Sequence, residues 1–244
     1  MNKKTINFVG IISILLAIGW FQNKLQSIDW LPVKYVRIEG AFQYIKKDKI
    51  KQALQQQVSH GLYGINLQQV QESVKQLPWV DAVSVKRVWP DTLNIKIKEQ
   101  LPVARWRRDS LLNNNAEIFI PDNIEKFNRL PKLEGSFGNE KELLEVMKGL
   151  MITLTDQDLE LKEFRVTGRR AWYLKLKNDM ELVIGRNTPL NKFQRFIKTL
   201  GLIGREQVTK IAIVDLRYPN GYAITWKKGI ETIEWKKIAR MRLI

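Results

Sequence analysis

Residues 77 to 106 read LPWVDAVSVKRVWPDTLNIKIKEQLPVARW. Two runs inside this stretch, Trp79 to Val88 and Thr92 to Lys98, alternate apolar and polar residues at period two, as half-buried strands do. Trp89-Pro90-Asp91 between them has hairpin-turn chemistry, and Pro78 stops whatever precedes. Upstream, Leu67, Val70, Val74 and Leu77 fall at spacings of three, four and three, one apolar helical stripe. Ile50, Leu54 and Val58 make a second stripe, which His60-Gly61 ends, and His60 reads as a C-terminal capping residue. Before it Val33 to Glu39 alternates again, a strand stopped by Gly40. Strand, helix, helix, strand, strand predicts a three-stranded sheet with both helices on one face, over residues 31–99. A module that small has no room for a buried active site.

Downstream, residues 100–226 predict a second, larger α+β module. Leu111 to Ile120 places two apolar stretches around an Asn-rich turn, a candidate hairpin, and Leu130 to Gly135 is a short extended piece. Asn139, with Glu142 three residues on, predicts a capped helix whose Leu143, Met147, Leu150, Met151 and Leu154 share a face. Leu161 to Thr167, Ala171 to Lys177 and Met180 to Ile184 follow as a meander. A helix over Asn191 to Ile203 comes next, then strands over Val208 to Leu216 and Gly221 to Trp226, turned at Tyr218-Pro219-Asn220-Gly221. Residues 227–244 read as a loose amphipathic tail.

The chain has 244 residues, 41 Lys and Arg against 25 Asp and Glu, a formal charge of +16, one His and no Cys. Disulfide scaffolds, Cys-ligated metals and thiol nucleophiles are excluded. Lys3 and Lys4 precede Ile6 to Phe21, a stretch free of charge. Roughly 17 residues at about 1.5 Å rise give about 25 Å, at the short limit for a bilayer core. The expectation is a transmembrane helix over 6–25 behind a cytoplasmic tail of residues 1–5, with the bulk of the chain outside the cytoplasm. A cleavable signal peptide, cut after Ala17-Ile18-Gly19, is the competing reading, and a buried core helix a weaker one. Outside the cytoplasm nucleic acid is a poor partner, and the basic residues face anionic lipid or acidic protein segments.

No catalytic constellation stands out. Asp156 and Asp158 are two apart, do not share a helical face, and mark a helix end. Asp215 with Arg217 reads as a structural ion pair. Phosphate-loop, dinucleotide and nucleophile-elbow motifs are absent from the sequence. Neither a metal, a cofactor nor a small-molecule substrate is expected, and a periplasmic hydrolase would need an acid cluster that is not there.

Two blocks carry a resemblance. Leu77-Pro78-Trp79-Val80 to Val85, then Trp89-Pro90-Asp91-Thr92-Leu93, and Glu99 with Pro102-Val103-Ala104-Arg105-Trp106, resemble the end of a POTRA domain in the bacterial FtsQ/DivIB cell division family. Val214-Asp215-Leu216-Arg217-Tyr218, with Gly221 and Trp226, is similar to that family's C-terminal strand region. With the short tail and single span, the resemblance covers essentially the whole chain. It implies a POTRA domain (β-α-α-β-β) followed by a β domain, a mixed sheet with helices on one face, whose final strand lies at or near an edge.

It also implies a non-catalytic divisome scaffold in the inner membrane, at the septum, which captures the FtsB–FtsL pair and helps control septal peptidoglycan synthesis. Other divisome proteins would dock on the POTRA domain. An edge strand offers unpaired backbone groups that a partner strand can complete. On that reading Gly221 lets the partner backbone approach, Tyr222 gives an aromatic side chain to cover it, Trp226 forms a hydrophobic contact, Arg169 and Arg217 hold acidic side chains by forked hydrogen bonds, and Tyr218 belongs to the same binding surface. Half-buried packing is the plainer alternative for Tyr218, Tyr222 and Trp226. A POTRA-type chaperone or translocation module is the rival function; it predicts repeated POTRA units or a following barrel, for which the chain is too short.

Overall fold

A computed structural model describes residues 32–57, 61–186 and 189–229. The expected span over 6–25, His60 and the tail beyond 229 lie outside the described residues. Among those described, no helix is long and apolar enough to cross a membrane. The chain divides after Gln100 into two compact units.

The first unit is a three-stranded sheet in the order β1 (Tyr35–Glu39), β3 (Thr92–Glu99), β2 (Val80–Val88). β2 and β3 form the hairpin, while β1 runs parallel to β3. The connection within this parallel pair runs through α1 (Lys47–Gln55), the single turn α2 (Gly61–Gly64), α3 (Leu67–Lys75) and then β2, whose antiparallel course returns the chain to the start of β3. The single turn is one helix more than the sequence pattern predicts. Asn66 caps α3, its side-chain oxygen accepting from the N–H of Gln68 and Gln69 at 3.0 and 3.2 Å. Ile50, Leu54, Val70 and Val74 from the helices are buried, as are Leu93, Ile95 and Ile97 of β3. Lys96, between Ile95 and Ile97, and Lys98, which pairs with Asp81, lie on the exposed face. Arg87 of β2 donates from Nε to the Leu62 carbonyl at 2.9 Å and from Nη2 to that of Ile65, tying down the α2 turn. Lys46, at the N-cap of α1, gives no side-chain cap. Instead Glu99 accepts the N–H of Gln43 (2.9 Å), Tyr44 (3.1 Å) and Ile45 (2.7 Å) just upstream.

The second unit is a nine-stranded mixed sheet. Its strands are β4 (Pro102–Trp106), β5 (Ser110–Asn113), β6 (Ile118–Phe119), β7 (Lys132–Glu134), β8 (Leu161–Val166), β9 (Trp172–Leu176), β10 (Glu181–Gly185), β11 (Ile211–Asp215) and β12 (Ala223–Trp226). Across the sheet they lie in the order β12-β11-β10-β9-β8-β7-β4-β5-β6. β7 to β8 and β10 to β11 are parallel neighbours. Their crossovers are α4 (Glu140–Thr155) and α5 (Pro189–Ile203), which pack on one face against each other and against β7, β8 and β10.

Strand alternation sorts side chains into rows. Trp106, Leu133, Phe164, Leu174, Leu182, Val214 and Ile224 are register neighbours on the helix-covered face, and all but Ile224 are buried. The adjoining row on the open face runs Lys132, Glu163, Lys175, Glu181, Ile213, Thr225. Its charges alternate and then stop at β11.

Three sequence expectations are corrected. Val208 belongs to a helical turn, α6 (Arg205–Val208), so β11 begins at Ile211. Gly204, at φ +93°, breaks α5 and starts that turn, which buries Val208. The last strand begins at Ala223, leaving Gly221 and Tyr222 in the connection before it. The Asn139 side chain does not cap α4; the Gly138 N–H donates to the Glu140 carboxylate at 2.9 and 3.0 Å.

Candidate interaction edge

β12 is the last strand of the sheet on its side and pairs with β11. The Leu216 N–H donates to the Val183 carbonyl at 2.8 Å, which turns the backbones of Val214 and Leu216 toward β10. Those of Ile213 and Asp215 therefore face β12, where they meet Thr225 and Ala223 in register. The Lys227 N–H, donating to Lys210 O at 2.9 Å, continues the same phase. The N–H and C=O of Ile224 consequently face the open flank, and no described strand lies there. Side chains follow the perpendicular alternation: Ala223 and Thr225 are exposed, whereas Ile224 and Trp226 turn to the core.

The approach to β12 is braced. Asp215 accepts the Arg217 backbone N–H at 3.0 Å and grips its guanidinium, Nε at 2.9 and 3.0 Å and Nη2 at 2.6 Å. The pair is the structural one expected, though Arg217 lies beyond the strand and a side-chain turn, not strand alternation, brings it back. The Arg217 hydrogen bond holds the Asp215 carboxyl below the usual carboxylate range, against burial, and Asp215 in turn raises Arg217. The Arg217 stem lies over Gly185, at φ +83°, where a Cβ would stand 3.1 Å from Arg217 Cγ. From α5, Lys192 donates to the Arg217 carbonyl at 3.1 Å and Arg195 to that of Pro219 at 3.4 Å.

The residues singled out from sequence separate into groups. Arg169 and Arg217 line one open depression of about 680 Å³, together with Tyr173, Arg186 and Lys192. Arg186 and Lys192 escaped sequence reading, because only the parallel pairing of β10 with β11 brings them there. Tyr218 is 55 % exposed on the turn. Gly221 has open space around it, with no conformational need for glycine. Tyr222 and Trp226 pack against the core, Tyr222 edge-to-face with Phe196 at 5.5 Å. Tyr222→Ala is accordingly expected to lower the unfolding free energy by ~2 kcal/mol in urea titration; an unchanged midpoint would show the ring to be free for a partner.

Of the acids weighed as catalytic, Asp156 caps the C-terminus of α4 and Asp158 follows at φ +56°. Among the described residues no group of three or more His, Asp or Glu could hold a metal ion.

Comparison with known proteins decides the family. Residues 31–100 match the POTRA domain of FtsQ type, and residues 104–217 match the C-terminal domain of cell division protein FtsQ/DivIB. The cell division protein FtsQ of Methylomonas methanica is 46 % identical over 236 residues, covering 97 % of this chain and 95 % of that protein. The chain belongs to the FtsQ/DivIB family. FtsQ of Cellvibrio japonicus is 32 % identical over 91 % of this chain and 70 % of its own, and FtsQ of Escherichia coli 30 % identical over 88 % and 79 %. FtsQ/DivIB membership places the chain in the bacterial division machinery, at the division site. The matched C-terminal region stops at 217, short of β12.

Proposed function

We propose that this FtsQ/DivIB chain is a non-catalytic scaffold that captures the FtsB–FtsL pair by strand addition to β12. The single observation supporting it is the terminal position of β12, with the Ile224 backbone turned to a flank that no described strand fills. The incoming strand continues the antiparallel or parallel ladder there, beside the exposed Ala223 and Thr225. Arg169 and Arg217, at the depression next to it, meet acidic side chains of the partner, and Tyr218 lies on the turn at their side. Residues 6–25 anchor the chain in the inner membrane with its N-terminus cytoplasmic and the rest periplasmic, and residues 31–99 and 100–226 act as separate docking modules. The first takes other divisome proteins. Tethering both modules to one anchor raises the local concentration of early and late division proteins at the septum and helps control peptidoglycan synthesis.

Hydrogen exchange on the full chain tests this. Adding the FtsB–FtsL pair is expected to slow exchange at the Ile224 amide, which faces the flank, more than at Ala223 and Thr225, which already face β11. Capture of the pair with no change at Ile224 would place the interface elsewhere.

A further inference from the structure

One rim of the nine-stranded sheet gathers arginines. Strand directions bring the ends of β4, β7, β8, β10 and β11 and the start of β9 to that rim. Arg107 and Arg108 follow β4, Arg165 and Arg169 come from the end of β8 and the turn after it, Arg186 follows β10 and Arg217 follows β11. Two open depressions of about 670 and 680 Å³ run along it and share Thr167 and Gly168, which makes them one trough.

The opposite rim treats its cations differently. There Lys162 pairs with Asp179 at 3.0 Å, Lys175 with Glu181 at 2.8 Å, Lys210 with Glu206 at 2.7 Å, and Lys177 with Glu160. On the arginine rim Arg217 pairs with Asp215 at 2.6 Å, and Lys132 pairs at 3.2 Å with Glu134, a carboxylate lining the β4–β8 depression, whereas Arg108, Arg169 and Arg186 have no ion pair among the described residues. Unpaired like charges held side by side repel one another, so they stabilise nothing until an anion arrives. Two of the guanidinium groups are already set in place. Arg165 lies over the Tyr173 ring at 5.1 Å. Arg107 donates to the Gly135 carbonyl at 2.8 and 3.2 Å and lies 3.9 Å from the centroid of Phe137, a ring 67 % exposed.

The shape of the array selects the ligand. From β8 to β4 there are two strand-to-strand steps of about 4.8 Å, roughly 10 Å or about three extended residues, and a longer chain would run on along the rim toward β11. A lone phosphate draws its donors to a point, whereas these forks stand in a row and match successive carboxylates on a chain. Anionic headgroups lie in a plane and meet a flat basic face, whereas these guanidinium groups line a depression that a chain can enter.

We propose that the β4–β8 half of this trough, through Arg108 and Arg165, binds an acidic segment of a protein partner. The inference rests on the capture proposed above for the partner's identity, and on the trough itself for the anion site. Arg107, which holds Gly135, positions the first part of the row.

The test uses the full chain in neutral detergent and a synthetic peptide of alternating Glu and Ala, about eight residues long, followed by fluorescence anisotropy. Affinity is expected to fall with added salt, and Arg108→Gln combined with Arg165→Gln to weaken it about tenfold. Lys46→Gln with Lys47→Gln removes equal charge from the first unit and should change nothing. Ile224→Pro, aimed at the β12 flank, should leave peptide binding intact, so the trough and the strand-addition edge fail separately. If the arginine variants melt lower, Nε–H resonances of Arg108 and Arg165 in the unaltered chain must shift on peptide addition. Equal loss in the Lys46 and Lys47 variant, displacement by an equal concentration of inorganic phosphate, or an Arg108-dependent preference for anionic vesicles over the peptide would each overturn the proposal.

Discussion

Ile224→Pro is expected to weaken capture of the FtsB–FtsL pair at least about hundredfold while lowering the stability of the chain by only ~1–2 kcal/mol. The Ile224 N–H faces the flank and takes no part in the ladder with β11, so proline removes no internal sheet bond. Extended backbone at Ala223 suits the residue before a proline. What proline does remove is the donor an added strand would use, and its ring projects into the space that strand must occupy. Ile224 is only half-buried against the core, and the apolar ring keeps part of that contact. Isothermal titration of the purified pair against wild type, Ile224→Val and Ile224→Pro gives the reading. Val should bind like wild type; Pro binding within a few-fold of wild type would remove β12 as the docking strand.

Strand alternation made most of both units readable before any coordinates. The period-two runs from Trp79 to Lys98 became β2 and β3 to within a residue, since one face of each is buried and the other wet. Where the reading failed, the sequence pattern had two physical solutions. Val208 to Leu216 carries apolar residues compatible with one long strand, but Gly204 lets the chain turn first, and Val208 is buried from a helical turn instead of from β11. The site was legible in part. Arg169 and Arg217 meet at one depression, far apart in sequence, because the β8–β9 turn and the end of β11 share a rim; nothing local in the sequence adds Arg186 to them. The packing of Tyr222 was not legible for a similar reason. Its partner Phe196 sits on α5, and only the β10–β11 crossover brings that helix above the start of β12.

The larger stability effect belongs to the first unit. Glu99→Ala is expected to lower its unfolding free energy by ~3 kcal/mol, which for a unit of this size moves the midpoint by roughly 15 °C. The carboxylate accepts the amides of Gln43, Tyr44 and Ile45, and alanine leaves all three without it. Lys46 at the N-cap of α1 has only donors, and in the first turn Asp48 stands between Lys47 and Lys49 without a side-chain cap being formed at the helix end. One carboxylate from β3 thus does the work that a Ser or Asp cap would do locally, and it fixes the chain entering α1 to the middle strand of the sheet. The Tyr44 ring stacks on Trp79 at 4.2 Å, so loss of the Glu99 bonds should move the Trp79 indole N–H resonance, resolved from those of the other tryptophans, early in a urea titration. Glu99→Gln keeps one acceptor oxygen and should lose about half as much. A Glu99→Ala chain that unfolds with the wild-type midpoint, and still protects the amides of residues 43–45 from exchange, would show that water serves those groups as well as the carboxylate does.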